Sequence, residues 1–405
     1  MADVEGERPR WVWLMGFSNT VYGFGYAAVL VTTPQKLAAE GMGEPAIAGL
    51  TALALGIALA TFALAPILDT LMSRRAWALI LALVSAALAG WLLSLPASSP
   101  LIPTVLCAAA LTLSLYNAAV GGWLGAALPK SCDQTLGAWF NIGNAFGFGV
   151  GAITQFWLLK HLPGVLGPVA IAVGVLIPLA VLPVIPASDS GRRAVHESFG
   201  NLARDLAGLV RQGAVVRIVL LFALPCAAFT LTNAFGGLGR DFRASDGLVG
   251  AANGAGAVLV GLATALIARQ GLKHAPAPYL YLATGCVGAA FTLLLVVLPK
   301  TPLVYLLAVL GENAAQTAAQ VSQNAIVFRS IRQGSPLAAS QYGLLGTAAV
   351  LPYAYMQGLD GFGYRLAHGV TGSFLMDAGL SLAACAAVFV PVILWMRAGR
   401  LEAAG

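Results

Sequence analysis

Apolar stretches long enough to cross a bilayer follow one another along almost the whole chain, and this succession constrains the fold more than any motif. Crossing the hydrocarbon core takes about 20 apolar residues of helix. Runs of that length occupy about 11–36, 45–69, 75–95, 101–128, 134–160 and 165–187, and then about 215–239, 246–269, 276–298, 302–328, 335–358 and 371–397. The composition agrees: 59% of the 405 residues are hydrophobic and 9% are charged. A soluble domain carries about 25% charged residues. The expected fold is an all-α membrane protein with twelve transmembrane helices in two six-helix, pseudo-symmetric bundles, 1–187 and 214–405. They are joined by a polar segment, 188–213, in which Phe199, Leu202, Leu206, Leu209 and Val210 recur at helical spacing. That pattern predicts an amphipathic linker helix lying along the cytoplasmic interface.

The net charge of +6 does not point to nucleic acid, because the basic residues stand singly between apolar runs. They read as topology signals. With a cytoplasmic N-terminus, sixteen Lys and Arg fall on the inner side and six on the outer. Both termini are therefore expected inside. The abundance of Arg over Lys, together with Ala, suits a GC-rich bacterial genome, which gives a bacterial inner membrane as the expected location. The N-terminal residues MADVEGERPR are followed directly by a long apolar run, without the short core and small-residue cleavage site of a signal peptide. That run is expected to be the first membrane helix.

Several chemistries find no support. No P-loop motif occurs. The five cysteines are scattered without metal-ligand spacing. All four histidines fall in or near loops. A membrane-embedded transferase needs a nucleophile, base or metal cluster near one interface, and the sequence offers none. No enzyme activity, cofactor or metal is expected. A transporter-fold sensor, or a membrane-embedded transferase, without transport turnover stays as the alternative.

Against this background Glu312 stands out, near the middle of the tenth run. A carboxylate at that depth faces a protein interior or a watery cavity and marks a functional site by default. At 100° per residue, Glu312, Gln316, Gln320, Gln323 and Asn324 share an arc of roughly 120°, one wet face on an otherwise apolar helix. Glu312 is the expected proton-coupling or cargo-contacting acid, with a hydrogen-bonded structural carboxyl as the alternative. Asp377, early in the last run, is expected at headgroup level or as a helix-end residue.

Further polar residues at membrane depth are candidate substrate contacts: Asn19, Tyr22 and Tyr26 in the first run, Tyr116 and Asn117 in the fourth, and Trp139, Asn141 and Asn144 in the fifth. Asn233 in the seventh, Asn253 in the eighth, and Gln341 and Tyr342 in the eleventh join them. Trp123 is another possible stacking surface. The asparagines serve equally as interhelical hydrogen-bond partners. Gly143, Gly147 and Gly151, and Gly250 and Gly254, have the four-residue spacing that lets helices approach closely in lipid. Pro34, Pro225, Pro352 and Pro391 are expected at kinks. After the second run, Ala-Pro-Ile-Leu-Asp69 leads into Arg74-Arg75, an acid and a basic turn able to latch the cytoplasmic side. The alternative for Asp69 is a plain helix end.

Six helices, a cytoplasmic linker and six more helices resemble the major facilitator superfamily, whose halves rock around a midplane site. The Asp69 turn is similar to that superfamily's loop signature in reduced form. Three segments resemble AmpG-type muropeptide permeases: Ser335-Pro-Leu-Ala-Ala-Ser-Gln341-Tyr342-Gly-Leu-Leu-Gly, Gly16-Phe-Ser-Asn-Thr-Val-Tyr-Gly23, and Pro66-Ile-Leu-Asp69 with Arg74-Arg75-Ala-Trp77. The seventh run departs from that pattern, with Leu-Pro225-Cys-Ala-Ala where an acid is sought. The branch includes acetyl-CoA transporters and siderophore permeases. The resemblance implies a monomeric secondary transporter that moves a medium-sized organic solute, driven by protons or, alternatively, Na⁺. The lack of Lys or Arg at midplane depth argues against a polyphosphate cargo.

Overall fold

The computed structural model describes residues 11–186, 204 and 207–404, and among these there is no strand. Most of the expected 188–213 linker therefore lies outside the described residues, as do Arg8 and Arg10. Within the described part, 207–211 is helical, with Leu209 buried and Val210 exposed.

The helices are α1 Val12–Ala39, α2 Gly49–Asp69, α3 Arg74–Ser94, α4 Ile102–Ala127, α5 Lys130–His161 and α6 Leu166–Val184. The second series begins with α7, in two pieces, Gly213–Ala223 and Leu231–Leu238. It continues with α8 Gly247–Gly271 and α9 Ala277–Val297, then α10 Pro302–Ser330, α11 Ala338–Leu366 and α12 Val370–Ala404. Among the described residues nine helices are long and apolar enough to cross a membrane. Helices α10 and α11 have the length but not the apolarity, because they carry Glu312, Gln316, Gln320, Ser340, Gln341 and Asp360. The polar residues that weaken the hydropathy signal are the candidate site residues themselves. The eleventh helix runs eight residues beyond the expected end at 358, and this extension takes in Asp360.

Contacts divide the chain into two units, 1–216 with 327–347, and 217–326 with 348–405. The core of the first unit gathers Tyr26, Val29, Leu92, Val105, Leu106 and Leu113 from α1, α3 and α4. Its tightest seam joins α1 to α5. A Cβ on Gly147 would collide with the Thr20 carbonyl, and one on Gly23 with the Asn144 carbonyl, so the two backbones touch only because both positions are glycine. Pro34 lacks the amide proton that its preceding turn needs, and α1 widens over Ala28–Thr32. Gln155 of α5 fills the widened turn. It accepts from the Thr32 hydroxyl at 2.8 Å and donates to the Phe24 carbonyl at 2.7 Å, fully buried.

The core of the second unit is built on Leu231, Phe235, Phe242, Leu295, Tyr305, Val309 and Phe374. Lys300 closes the α9–α10 turn: its ammonium donates to the Leu295 carbonyl at 2.6 Å and lies 5.5 and 5.2 Å from the Phe242 and Phe374 rings. Desolvation lowers its pKa from the usual lysine value, with the Asp241 charge acting the other way. Pro225 breaks α7 outright over 224–230, with Phe229 at φ +51°. The freed carbonyls are partly met by side chains: Tyr355 donates to Ala223 at 2.8 Å and the Cys385 thiol to Cys226 at 3.3 Å. Pro352 and Pro391, by contrast, lie inside unbroken helices. Gly250 and Gly254 also differ from expectation. Within the described residues nothing lies within 4 Å of a Cβ built at either, so they line an open face of α8 and make no close helix packing there.

Replacing Gly147 with Ala is expected to cost about 1–3 kcal/mol of stability through overpacking against α1. The purified protein should show it as a lowered Tm, with Gly250→Ala as a control that leaves Tm undiminished.

Candidate functional site

In the second unit three carboxyls are withdrawn from solvent: Glu312 is 0%, Asp360 4% and Asp377 2% exposed. Glu312 was expected to line a wet face, and the structure encloses it instead. Its Oε1 meets the Thr292 hydroxyl of α9, while its Oε2 has no partner among the described residues. The cause is the neighbouring helix, since α9 offers a hydroxyl within reach of a carboxyl that hydrocarbon would otherwise leave bare. Thr292 also contacts the Gly288 carbonyl at 3.0 Å. A hydroxyl has one proton to give and a carbonyl can only accept. The single proton of Thr292 thus has two acceptors within reach, Glu312 Oε1 and the Gly288 carbonyl.

Asp377 was expected at headgroup level or as a helix end, and its burial corrects this. Its Oδ1 lies 3.3 Å from the Thr230 hydroxyl, which donates to Asp360 Oδ2 at 2.5 Å. Asp360 was missed because the sequence places it past the expected end of the eleventh helix, next to Gly361 and Gly363. The signal that points to it is the low apolarity of α11 as a whole.

The amide stripe of α10 does not share one environment. Gln316 donates to Thr232 of α7 at 3.0 Å, Gln320 reaches toward the Tyr353 hydroxyl at 3.5 Å, and Gln323 and Asn324 are half-buried. Asn253 takes the structural alternative, donating to the Tyr305 hydroxyl at 2.6 Å and the Val249 carbonyl at 2.9 Å, while Tyr305 donates to Phe235 at 2.9 Å. Asn233 is exposed.

In the first unit Tyr22 and Tyr26 pack with ring centroids 4.6 Å apart, and the Tyr26 hydroxyl pairs with Ser114 at 2.9 Å. Asn19 donates to the Phe140 carbonyl at 3.1 Å and Tyr116 to the Ser18 carbonyl at 2.8 Å, both tying helices together. Three buried amide atoms find no protein partner among the described residues: Asn19 Oδ1, Asn117 Oδ1 and Asn141 Nδ2. They come from α1, α4 and α5. Asn144 is half-buried. Trp139 belongs to a different neighbourhood, packing against Trp13 and Phe17 at 6.1 and 5.8 Å. Trp123 is buried and donates to the Pro186 carbonyl at 2.9 Å.

The Asp69 turn forms an anion-centred clasp. Its Oδ1 accepts from Arg74 Nε at 2.8 Å and from the Ala339 amide at 3.1 Å, and its Oδ2 from the Ser340 amide and hydroxyl at 2.7 and 2.6 Å. Arg74 also donates to the Ser335 carbonyl at 2.8 Å. The carboxylate thus caps the N-terminus of α11, where the helix dipole favours negative charge. Arg75 is exposed and takes no part. Gln341 donates to the Ser330 carbonyl at 3.0 Å, bracing the same turn, and the Tyr342 ring lies over Gly121 with an edge contact to Phe140 and a tilted one to Phe328. Sequence reasoning missed Lys130, whose ammonium meets the carbonyls of Phe328, Arg329 and Ile331 at the C-terminus of α10.

Residues 15–356 match the model of the Major Facilitator Superfamily. The chain belongs to that superfamily. Its fold is similar to that of the proton:xylose symporter XylE, with a TM-score of 0.71 and 13% identity over 95% of this chain and 96% of that one. A similar relation holds to the transporter FucP in its outward conformation (0.67, 16%, 92% and 97%). The human organic anion transporter MFSD10 also shares the fold (0.62, 16%, 93% and 98%). No curated protein matches the chain. As a superfamily member it is a multi-pass membrane protein and a transporter, not an enzyme.

Asp69→Ala leaves Arg74, which is 9% exposed, without its counter-ion. Breaking a buried pair from one side costs about 3–5 kcal/mol. A marked fall in Tm is expected for Asp69→Ala and none for Arg75→Ala.

Proposed function

We propose that this superfamily member is a proton-coupled secondary transporter that carries a medium-sized organic solute by alternating access, with Glu312 as the proton-carrying acid. The observation that carries the reading is the Glu312–Thr292 contact. The carboxyl is enclosed, has no cation beside it, and is bonded to a hydroxyl whose own proton has a second claimant. Such a group works as a proton carrier when a rearrangement opens it to water. The structural relatives XylE, a proton:xylose symporter, and FucP, a fucose:proton symporter, accord with this reading.

The cargo contacts are drawn from Asn19, Asn117 and Asn141, each with one amide atom left without a partner, and the paired rings of Tyr22 and Tyr26, with Gln316, Gln320 and Gln323 of α10 and the exposed Asn233 in support. Amides and phenol rings suit a neutral solute with sugar, peptide or catechol-like groups. This fits the muropeptide-, peptide- or siderophore-like class suggested by the resemblance to the AmpG-type branch. Two six-helix bundles, 1–187 and 214–405, joined by 188–213, form the moving parts. The Asp69–Arg74 clasp on α11, together with Lys130 on α10, acts as the cytoplasmic latch. The charge asymmetry of the loops supports an inner-membrane protein with both termini in the cytoplasm.

In proteoliposomes with an imposed pH gradient, Glu312→Gln is expected to reduce solute accumulation to the equilibrium level while solute exchange across the membrane persists. Accumulation that still follows the pH gradient in Glu312→Gln would overturn the assignment.

A further inference from the structure

Besides Glu312, the second unit holds a pair of carboxyls for which the transport reading has no use. Asp360 of α11 and Asp377 of α12 approach the same hydroxyl, that of Thr230, at 2.5 and 3.3 Å. All three residues are at least nine-tenths buried, and Asp360 Oδ1 has no hydrogen-bond partner among the described residues. No cation compensates the pair: the ion pairs among the described residues are Lys36–Glu40, Asp69–Arg74 and Lys130–Asp133. Thr230 stands at the end of the 224–230 break in α7. Non-helical backbone at membrane depth is tolerated where it lines a cavity or an ion site.

The proton count decides what the pair can hold. A threonine hydroxyl donates one hydrogen bond and accepts others. Having given its proton to Asp360 Oδ2, it can meet Asp377 Oδ1 only as an acceptor, so the second contact needs a hydrogen on Asp377. The chain Asp377–Thr230–Asp360 is complete when the two carboxyls hold one proton between them. Two bare carboxylates on one hydroxyl repel in a site without a counter-charge. Both carboxyls thus reach the one hydroxyl, Asp360 closely and Asp377 at a longer distance.

We propose that Asp360, Thr230 and Asp377 form a second proton-binding site at the break in α7, one that holds a proton of its own and does not need Glu312 to do so. Binding converts one carboxylate to a carboxylic acid that donates to Thr230, and release restores the charged pair. The other acid on that side is Glu312 from α10, which the charges of both aspartates reach. Helix α9 presents Thr292 on that side, and Cys385, two turns further along α12, is bonded to the Cys226 carbonyl. Asp360 lies six residues from the end of α11 and Glu312 ten residues from the start of α10. At 1.5 Å per residue these depths are about 9 and 15 Å. The pair thus serves as a station between the α11–α12 end of the unit and Glu312. The site goes beyond the transport reading and does not depend on it.

The test is infrared titration of the full-length protein in lipid, following the carbonyl band of protonated carboxyls as pH is varied. The band of the site is read as the difference between Glu312→Gln and Glu312→Gln carrying Asp360→Asn and Asp377→Asn. In that difference one titrating carboxyl should appear, with one more proton taken up per protein by Glu312→Gln. Thr230→Val should shift this band and Thr230→Ser leave it in place, which keeps the proposal testable if the aspartate variant does not fold. A difference without a titrating carboxyl, and a band unmoved by Thr230→Val, overturn the site. Failure of the Glu312 assignment shows up separately, as undiminished pH-driven accumulation in Glu312→Gln.

Discussion

Inside hydrocarbon a polar group that the protein does not satisfy stays unsatisfied, and much of this structure is an answer to that condition. Where Pro34 withholds an amide proton, Thr32 and Gln155 occupy the widened turn of α1. Where Pro225 interrupts α7, a tyrosine from α11 and a cysteine from α12 bond to the freed carbonyls. Because the repairs come from other helices, each break in a ladder becomes a tertiary contact. Among the described residues the atoms left over include those of Glu312, Asp360, Asn19, Asn117 and Asn141, the residues proposed to carry proton or cargo.

The same condition explains why charge gathers at the α10–α11 turn. Two antiparallel helices present opposite dipole ends to one side, the carbonyl end of α10 and the amide end of α11. Lys130 meets the first and Asp69 the second. Each ion is matched both to a helix end and to a side chain, Lys130 to Asp133 and Asp69 to Arg74. Contacts assign residues 327–347 to the first unit, although α10 and α11 otherwise build the second.

The helical architecture was legible in the sequence because length and apolarity are sufficient evidence for a membrane span, and the alternation of basic loops supports the count. The site was legible in part. Glu312 stands out as the lone acid of an apolar run, and Asp69 through its basic turn. What sequence could not supply was direction. Residues 312, 316 and 320 share a face on a helical wheel, yet α9, α7 and α11 each capture one of them. Asp377 looked interfacial because depth was judged from its distance to the helix end, while its burial comes from Thr230, 147 residues away in the chain. Asp360 escaped notice because flanking glycines read as a loop. Lys130 did so because a lysine beside a short turn ordinarily signals topology.

The interruption in α7 has a mechanical meaning. No helical ladder runs across 224–230, and the Ala223 carbonyl at the end of the Gly213–Ala223 segment is bonded to Tyr355 of α11 instead. Moving α11 away from the segment would leave the Ala223 carbonyl without that partner. The seventh helix is thus built as two links of a chain, not as one lever.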